Sequence, residues 1–221
     1  MSLLRDKPSW KNPFYTVQEE IANSVTHGVG VGMAVAGLTI LVVLAIIFGD
    51  TRRVVSFSIY GASLILLYLA STLYHSIQHA KVKKILRVFD HASIYVLIAG
   101  TYTPFLLISI QGTLGWTVLA IVWALAIIGV LWKIFFIGRF EVVATTAYVL
   151  MGWMCVFLFK EMLMKVPPTG VVMLLAGGLV YTAGVIFYAW EKLPYNHAIW
   201  HLFVLGGSIC HYFAIMTLLP T

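Results

Sequence analysis

Residues 28–49 read GVGVGMAVAGLTILVVLAIIFG, a stretch without a single charged side chain. A helix needs about 20 such residues to cross the hydrocarbon core of a bilayer, because each residue advances it by about 1.5 Å. This stretch alone therefore predicts a membrane-spanning helix. The composition agrees, since 61% of the 221 residues are hydrophobic and only 10% are charged, with a mean hydropathy of +0.96. We expect an integral membrane protein.

Five further uncharged runs follow, each long enough to span a bilayer. They cover residues 54–74, 92–132, 142–159, 166–190 and 193–221. The run at 92–132 is about twice too long for one span, and it contains the turn-forming glycines of Gln111-Gly112-Thr113-Leu114-Gly115. Dividing it there predicts an all-α membrane protein with one seven-transmembrane domain over residues 1–221. The expected helices lie at about 28–48, 54–78, 89–109, 114–136, 141–160, 170–190 and 196–218.

The basic residues predict the orientation of the chain, because Lys and Arg resist translocation and collect on the cytoplasmic side. If the N-terminus is cytoplasmic, ten of the 14 basic residues lie inside and four lie outside. The ten are Arg5, Lys7, Lys11, Lys81, Lys83, Lys84, Arg87, Lys133, Arg139 and Lys192, and the four are Arg52, Arg53, Lys160 and Lys165. We therefore expect a cytoplasmic N-terminus. The formal charge of +6 is then a topology signal, and we expect no nucleic-acid partner.

The segment before the first span has its own pattern. It contains no apolar run of signal-peptide length, so we expect no signal peptide there. Apolar side chains at helical spacing instead predict a short amphipathic helix over residues 14–26 on the inner membrane surface, with Thr16 and Glu19 as a capping box. Those side chains are Phe14, Val17, Ile21 and Val25.

Polar side chains collect at the predicted cytoplasmic ends of four helices. Helix 2 ends there at His75, one turn after Ser71, while helices 3 and 7 begin there at Asp90 and His197. The start of helix 1 adds Glu20, Asn23 and His27. Such groups are costly in hydrocarbon unless they are paired or functional, and chance would scatter them over both ends. We expect them to form one site near the cytoplasmic side.

The sequence His197-Ala-Ile-Trp-His201 places two imidazoles on one face of a helix. Together with His75 they make a trio of histidines, which is a standard ligand set for a catalytic zinc. Zn²⁺ is therefore the expected cofactor at His75, His197 and His201, although other metals accept imidazole as well. Zinc metalloproteases carry a Glu between their two helical histidines. None is present here, so the catalytic base must come from elsewhere.

Asp90 is the expected base, because it is the one carboxylate near the start of helix 3 and no basic partner is evident for it. It would hold the attacking water and take its proton. The Ser71 hydroxyl, on the face of His75, would bind the substrate carbonyl or the water. Glu20, Asn23 and His27 follow a three-then-four spacing, and we expect them to orient the metal-binding histidines through hydrogen bonds.

These residues also admit purely structural interpretations. A buried histidine is commonly a hydrogen-bonded residue of the bundle, Asp90 could cap helix 3, and Ser71 could bond to its own helix. For His79, His91 and His211 we expect such roles rather than metal binding. His79 would be solvated, His91 would make a supporting or headgroup contact, and His211 would be hydrogen-bonded within the bundle.

Three motifs occur in a recognisable order: Glu20-x-x-Asn23-x-x-Thr26-His27, Ser71-x-x-x-His75 followed by Asp90-His91, and His197-x-x-x-His201. Over residues 14–218 the chain resembles the haemolysin III branch of the progestin and adiponectin receptor family, whose superfamily includes alkaline ceramidases. The resemblance implies seven helices, a cytoplasmic N-terminus, zinc on the three histidines, and Asp90 acting through a water. Relatives in that superfamily are regarded as metal-dependent hydrolases of lipid amides such as ceramide.

The resemblance also bears on location, since the long cytoplasmic extension of the eukaryotic receptors is absent here. It implies a compact bacterial-type member in the inner membrane, linked to membrane lipid homeostasis. The leading hypothesis is a zinc-dependent intramembrane hydrolase that cleaves an amide or ester bond of a membrane lipid. A second is a non-enzymatic membrane sensor with a structural zinc, which would have four protein ligands. A third, a membrane-lytic pore, is disfavoured because the polar groups cluster at one end.

Overall fold

The computed structural model describes residues 15–220, which form helices and turns without any strand. Seven of its helices are long and apolar enough to cross a membrane. They are α1 Val17–Phe48, α2 Thr51–Ser76, α3 Ala80–Ile110, α4 Gly112–Phe136, α5 Glu141–Lys165, α6 Pro168–Ala189 and α7 Asn196–Met216. The chain is therefore a multi-pass membrane protein with seven helices, as its apolar runs predict.

The helices alternate in direction, so α1, α3, α5 and α7 begin at one end of the bundle. Neighbours in sequence pack against each other along α1 to α4, α6 packs against α7, and α7 packs back against α1. The interior contains wholly buried side chains such as Phe57, Leu41 and Ile215. The periphery is apolar too, and Phe157 is 89% exposed. A surface of this kind suits lipid rather than water.

The amphipathic segment expected at residues 14–26 is not a separate helix. From Val17 onward it forms the first turns of α1, which continues without a break to Phe48; residue 14 lies outside the described part of the chain. The expected capping box is confirmed, because Thr16 accepts from the backbone N–H of Glu19, and the Glu19 carboxylate accepts from the backbone N–H of Thr16 at 2.7 Å. The cap fixes where α1 begins.

Helices α2 and α3 begin earlier than predicted, because each includes charged residues that the prediction placed in the preceding loop. Helix α2 starts at Thr51 because the Asp50 side chain accepts from the backbone N–H of Arg53 at 2.9 Å. Helix α3 starts at Ala80 rather than near residue 89, since backbone hydrogen bonding continues through the basic residues. Asp90 consequently lies about three turns inside α3. The interpretation of Asp90 as an N-cap is wrong.

Regular α-helix is interrupted within α3 and within α5. Residues Phe105–Ile110 of α3 form a π-helical stretch directly after Pro104, which has no N–H to donate to the preceding turn. Residues Trp153–Leu158 of α5 form a 3₁₀ stretch. The Tyr102 hydroxyl bridges this second interruption, because it donates to the carbonyl oxygen of Gly152 at 2.7 Å and accepts from the backbone N–H of Cys155 at 2.8 Å. Tyr102 thereby joins α3 to the irregular stretch of α5.

The direction in which the bundle crosses the membrane gives a first prediction. In a variant with Cys155 and Cys210 replaced by alanine, a cysteine at exposed Arg139 should react with a membrane-impermeant maleimide only after the cells are opened, because that end bears the basic excess. A cysteine at Thr169, at the other end, should react in intact cells. The reverse labelling pattern would contradict a cytoplasmic N-terminus.

Candidate metal centre

Two helix ends bring three imidazoles together at one end of the bundle. His75 lies in the last turn of α2, and His197 and His201 lie on one face of the first turns of α7. One nitrogen atom from each ring lies within 4.8 Å of the corresponding atoms of the other two. All three side chains are buried. The spacing that predicted a common face on α7 thus places these histidines against the end of α2.

Helix α1 supplies acceptors that fix the orientation of two of these rings. The Nδ1 atom of His75 lies 2.6 Å from Oε2 of Glu20, and the Nδ1 atom of His201 lies 3.0 Å from the backbone oxygen of Asn23. A carboxylate and a carbonyl can only accept, so both Nδ1 atoms carry the proton. Each ring is left with Nε2 as the nitrogen that has a free lone pair, which is the form that binds a metal.

The remaining nitrogens of this cluster need a partner. Nε2 of His75 and Nδ1 of His197 are buried and have no hydrogen-bond partner within residues 15–220. An unsatisfied buried polar atom costs about 1–3 kcal/mol, so such atoms normally have a function or a ligand. Three imidazoles are also a common donor set for zinc, with Zn–N distances of about 2.0–2.1 Å. The three histidines therefore fit a metal ion.

Asp90 lies beside the histidines but outside the group of three ligand nitrogens. Its buried side chain interacts electrostatically with His75 and His197, and it lines the same cavity as His197. The expectation that it has no basic partner is wrong, because its Oδ2 lies 3.3 Å from Nδ1 of His91. That nitrogen also lies 3.0 Å from the backbone oxygen of Arg87, so His91 supports Asp90 rather than joining the ligand group.

Ser71 and His27 each lack a hydrogen bond that the sequence interpretations gave them. The Ser71 hydroxyl is fully buried and has no hydrogen-bond partner in the described chain, so the alternative of a bond to its own helix is wrong. Ser71 is not among the side chains that line the cavity beside Asp90. His27 stacks face to face on His201, with ring centroids 3.5 Å apart, and neither of its nitrogens has a partner within residues 15–220. It packs against His201 instead of hydrogen-bonding to it.

Asn23 supports the cluster mainly through its backbone. Its side-chain amide nitrogen lies 3.5 Å from Nδ1 of His75, a long contact, whereas its carbonyl is the acceptor for His201. Among the other histidines, His79 is exposed, and His211 lies 3.1 Å from the backbone oxygen of Leu174. Both agree with the non-ligand roles expected from the sequence.

Two residues near the cluster were not predicted from the sequence. The ring of Tyr15, just ahead of α1, lies 5.0 Å from that of His197 and covers the cluster from its outer end. Burial raises the pKa of the Tyr15 phenol well above its usual value, so the phenol stays protonated. Lys83 lies beside Glu20, at 3.0 Å from Oε1. The sequence has no residue at a helical spacing that links Tyr15 to the histidines, and the charge of Lys83 by itself indicates only the membrane topology.

A cavity of about 180 Å³ extends from the histidines into the bundle. Asp90, His197 and His201 line one end of it. From there it passes between mainly apolar side chains of α3, α5, α6 and α7 as far as Ile110 and Met162, near the opposite ends of α3 and α5. A deep apolar cavity with a few polar groups at one end suits a ligand with a hydrocarbon chain and a polar linkage.

Comparison with known proteins gives the same family as the motifs. A family model described as haemolysin-III related matches residues 15–212. Hemolysin-3 of Bacillus cereus is 52% identical over 206 residues, which cover 93% of this chain and 94% of that protein. Hemolysin-3 homolog of Bacillus subtilis (strain 168) is 50% identical over 202 residues, covering 91% and 95%. The human monocyte to macrophage differentiation factor is 30% identical over 206 residues, covering 90% and 84%. The chain therefore belongs to the haemolysin-III-related family.

Proposed function

We propose that this protein is a zinc-dependent hydrolase that cleaves an amide or ester bond of a membrane lipid. The observation that carries the proposal is the cluster of three imidazoles beside a deep apolar cavity, whose polar end is lined by His197 and His201. Buried nitrogens of His75 and His197 in this cluster have no hydrogen-bond partner in the described part of the chain. His75, His197 and His201 would hold the metal. A lipid chain would occupy the cavity, so that its polar linkage lies beside Asp90.

Asp90 is the group suited to move the proton in such a reaction. When bound, zinc polarises a scissile carbonyl and makes the attacking water more acidic. The Asp90 carboxylate would take a proton from that water as its oxygen adds to the carbonyl carbon. It would then return the proton to the leaving nitrogen or oxygen as that bond breaks. The products are a fatty acid and an amine or alcohol, so atoms and protons balance.

Surrounding side chains would keep Asp90 and the metal in place. His91 lies against one oxygen of Asp90, whose side chain also lines the cavity. Glu20 and the Asn23 carbonyl keep the imidazoles in the metal-binding tautomer. The Ser71 hydroxyl is fully buried and does not line the cavity, so it has no role in this proposal.

The names of the bacterial relatives suggest a second candidate, lysis of a target membrane. A conducting path needs polar groups across the membrane midplane. In the described part of the chain the cavity is mainly apolar beyond its histidine end. This lining favours a lipid-binding cavity over a pore.

Lipid analysis of cells tests the hydrolase proposal. Cells that produce the His201→Ala variant should accumulate the lipid that the wild-type protein consumes, because the metal loses one of its ligands. His79→Ala is the matched control, since His79 is exposed and its side chain makes no capping hydrogen bond. Lipid profiles should be compared at equal protein levels by mass spectrometry. Identical profiles for wild type, His201→Ala and a strain without the protein would contradict a hydrolase.

Metal removal should lower the thermal stability of the purified protein. A metal that binds only the folded state stabilises it by roughly 4 kcal/mol when the free metal concentration is 1,000 times the Kd. A strong chelator should therefore lower the Tm of the wild type by several degrees, and added zinc should restore it. His201→Ala should show a much smaller shift. Equal shifts in both proteins would place the stabilising metal elsewhere.

A further inference from the structure

Lys83 is a buried lysine in the first turn of α3. Its Nζ atom lies 3.0 Å from Oε1 of Glu20 and donates to the backbone oxygen of Tyr74 at 2.8 Å. It also lies 4.7 Å from the centre of the Tyr74 ring. Removing an ammonium from water costs several kcal/mol unless good partners replace the water. All of these partners border the metal centre.

Glu20 connects this ammonium to a metal-binding ring. One carboxylate oxygen accepts from Lys83, while the other lies 2.6 Å from Nδ1 of His75. The side chains of Glu20 and Lys83 are only 9% and 6% exposed. Lys83, Glu20 and His75 therefore form a continuous buried series from α3 through α1 to α2, and it ends at the unpartnered Nε2 of His75.

His75 depends on a side chain for its orientation in a way that the other two ligands do not. His201 is held by the backbone carbonyl of Asn23, which the helix itself keeps in place. Nδ1 of His197 has no partner within residues 15–220. A glutamate side chain has several rotamers. If an apolar residue replaced Lys83, Oε1 of Glu20 would lose its ammonium partner, and the carboxylate would be held less firmly against His75.

We propose that Lys83 is a positioning residue for the metal: it fixes the Glu20 carboxylate against Nδ1 of His75 and so aims Nε2 at the ion. The proposal rests on the zinc site described under Proposed function and adds a residue to it. Outer groups of this kind commonly change metal affinity by about 10- to 100-fold when they are removed.

The test compares Lys83→Met with Lys133→Met. Lys133 is the matched control because it is also buried and its Nζ lies 2.6 Å from a glutamate, Glu141, at the start of α5. For each purified protein, zinc affinity is measured by competition with a chromophoric chelator, and the visible spectrum is recorded with Co²⁺ in place of zinc. We expect Lys83→Met to bind zinc about tenfold more weakly and to shift the Co²⁺ bands. Lys133→Met should match the wild type in both measurements. Equal affinities and spectra for the two variants would overturn the proposal.

A double-mutant cycle separates positioning from a general loss of packing. Because Lys83 acts through Glu20, the double variant Glu20→Gln/Lys83→Met should bind zinc no more weakly than Glu20→Gln alone, within about twofold. If the two single substitutions each weaken zinc binding and their effects multiply in the double variant, Lys83 does not act through Glu20. If Lys83→Met does not fold, Glu20→Gln carries the test, since it keeps the side-chain size. Unchanged zinc affinity in a folded Glu20→Gln protein would also overturn the proposal.

The same measurements distinguish this proposal from the zinc site itself. A wild-type protein that binds neither zinc nor Co²⁺ would contradict the proposed function as well as the role of Lys83. A wild type that binds zinc tightly, together with a Lys83→Met protein of equal affinity, would overturn only the role of Lys83.

Discussion

The Asp90→Asn variant should keep its zinc and lose lipid turnover by about 10² to 10⁴-fold. Asparagine preserves the shape of the side chain but cannot take a proton, and Asp90 lies outside the group of three ligand nitrogens. Turnover is measured with the purified protein as release of fatty acid, and zinc is measured in the same sample. Glu161→Gln is the control, because Glu161 pairs with Lys165 at the other end of the bundle.

Two other outcomes for Asp90→Asn would each change the interpretation. Loss of the metal would make Asp90 a direct ligand, which favours a closed structural site with four protein ligands and hence a sensor. Retention of both the metal and full turnover would show that a different group moves the proton.

The variant with His75, His197 and His201 all replaced by alanine should fall from one zinc per chain to none. These three residues are the only group of potential ligands found together in the described part of the chain, and alanine offers no donor atom. Metal content is measured by mass spectrometry on protein that is monodisperse in detergent and retains its helical circular dichroism. Stoichiometric zinc in a folded triple variant would show that the site lies elsewhere.

The fold could be predicted because a bilayer imposes a length and an apolar composition on every span. Six uncharged runs satisfied both conditions, and the glycines after Gln111 divided the longest of them into two spans. The start of α3 could not be predicted in this way. When charged residues are taken to end a span, Lys81, Lys83 and Lys84 are assigned to a loop. The helix nevertheless includes them, because its backbone hydrogen bonds do not depend on side-chain charge.

The histidine cluster could be anticipated because helical spacing and alternating topology together place residues at a common end. The contacts between the side chains around this cluster could not be predicted from helical spacing and topology. An ideal helix projects neighbouring side chains about 100° apart, yet the ring of His91 reaches Asp90 at 3.3 Å. The burial of Lys83 depends on how α3 packs against Glu20 of α1. Neither contact follows from a local pattern, because each depends on side-chain torsion angles or on packing between distant helices.

The most direct test of the account is hydrolysis of lipid by the purified, zinc-loaded protein. The protein is incubated in detergent with the polar lipid extract of the cells that produced it, and released fatty acids are measured by mass spectrometry. We predict that release requires zinc, stops when a chelator removes the metal, resumes when zinc is returned, and is about 10² to 10⁴-fold slower for Asp90→Asn. A wild-type protein that carries one zinc per chain and releases no fatty acid above the Asp90→Asn background would contradict the account.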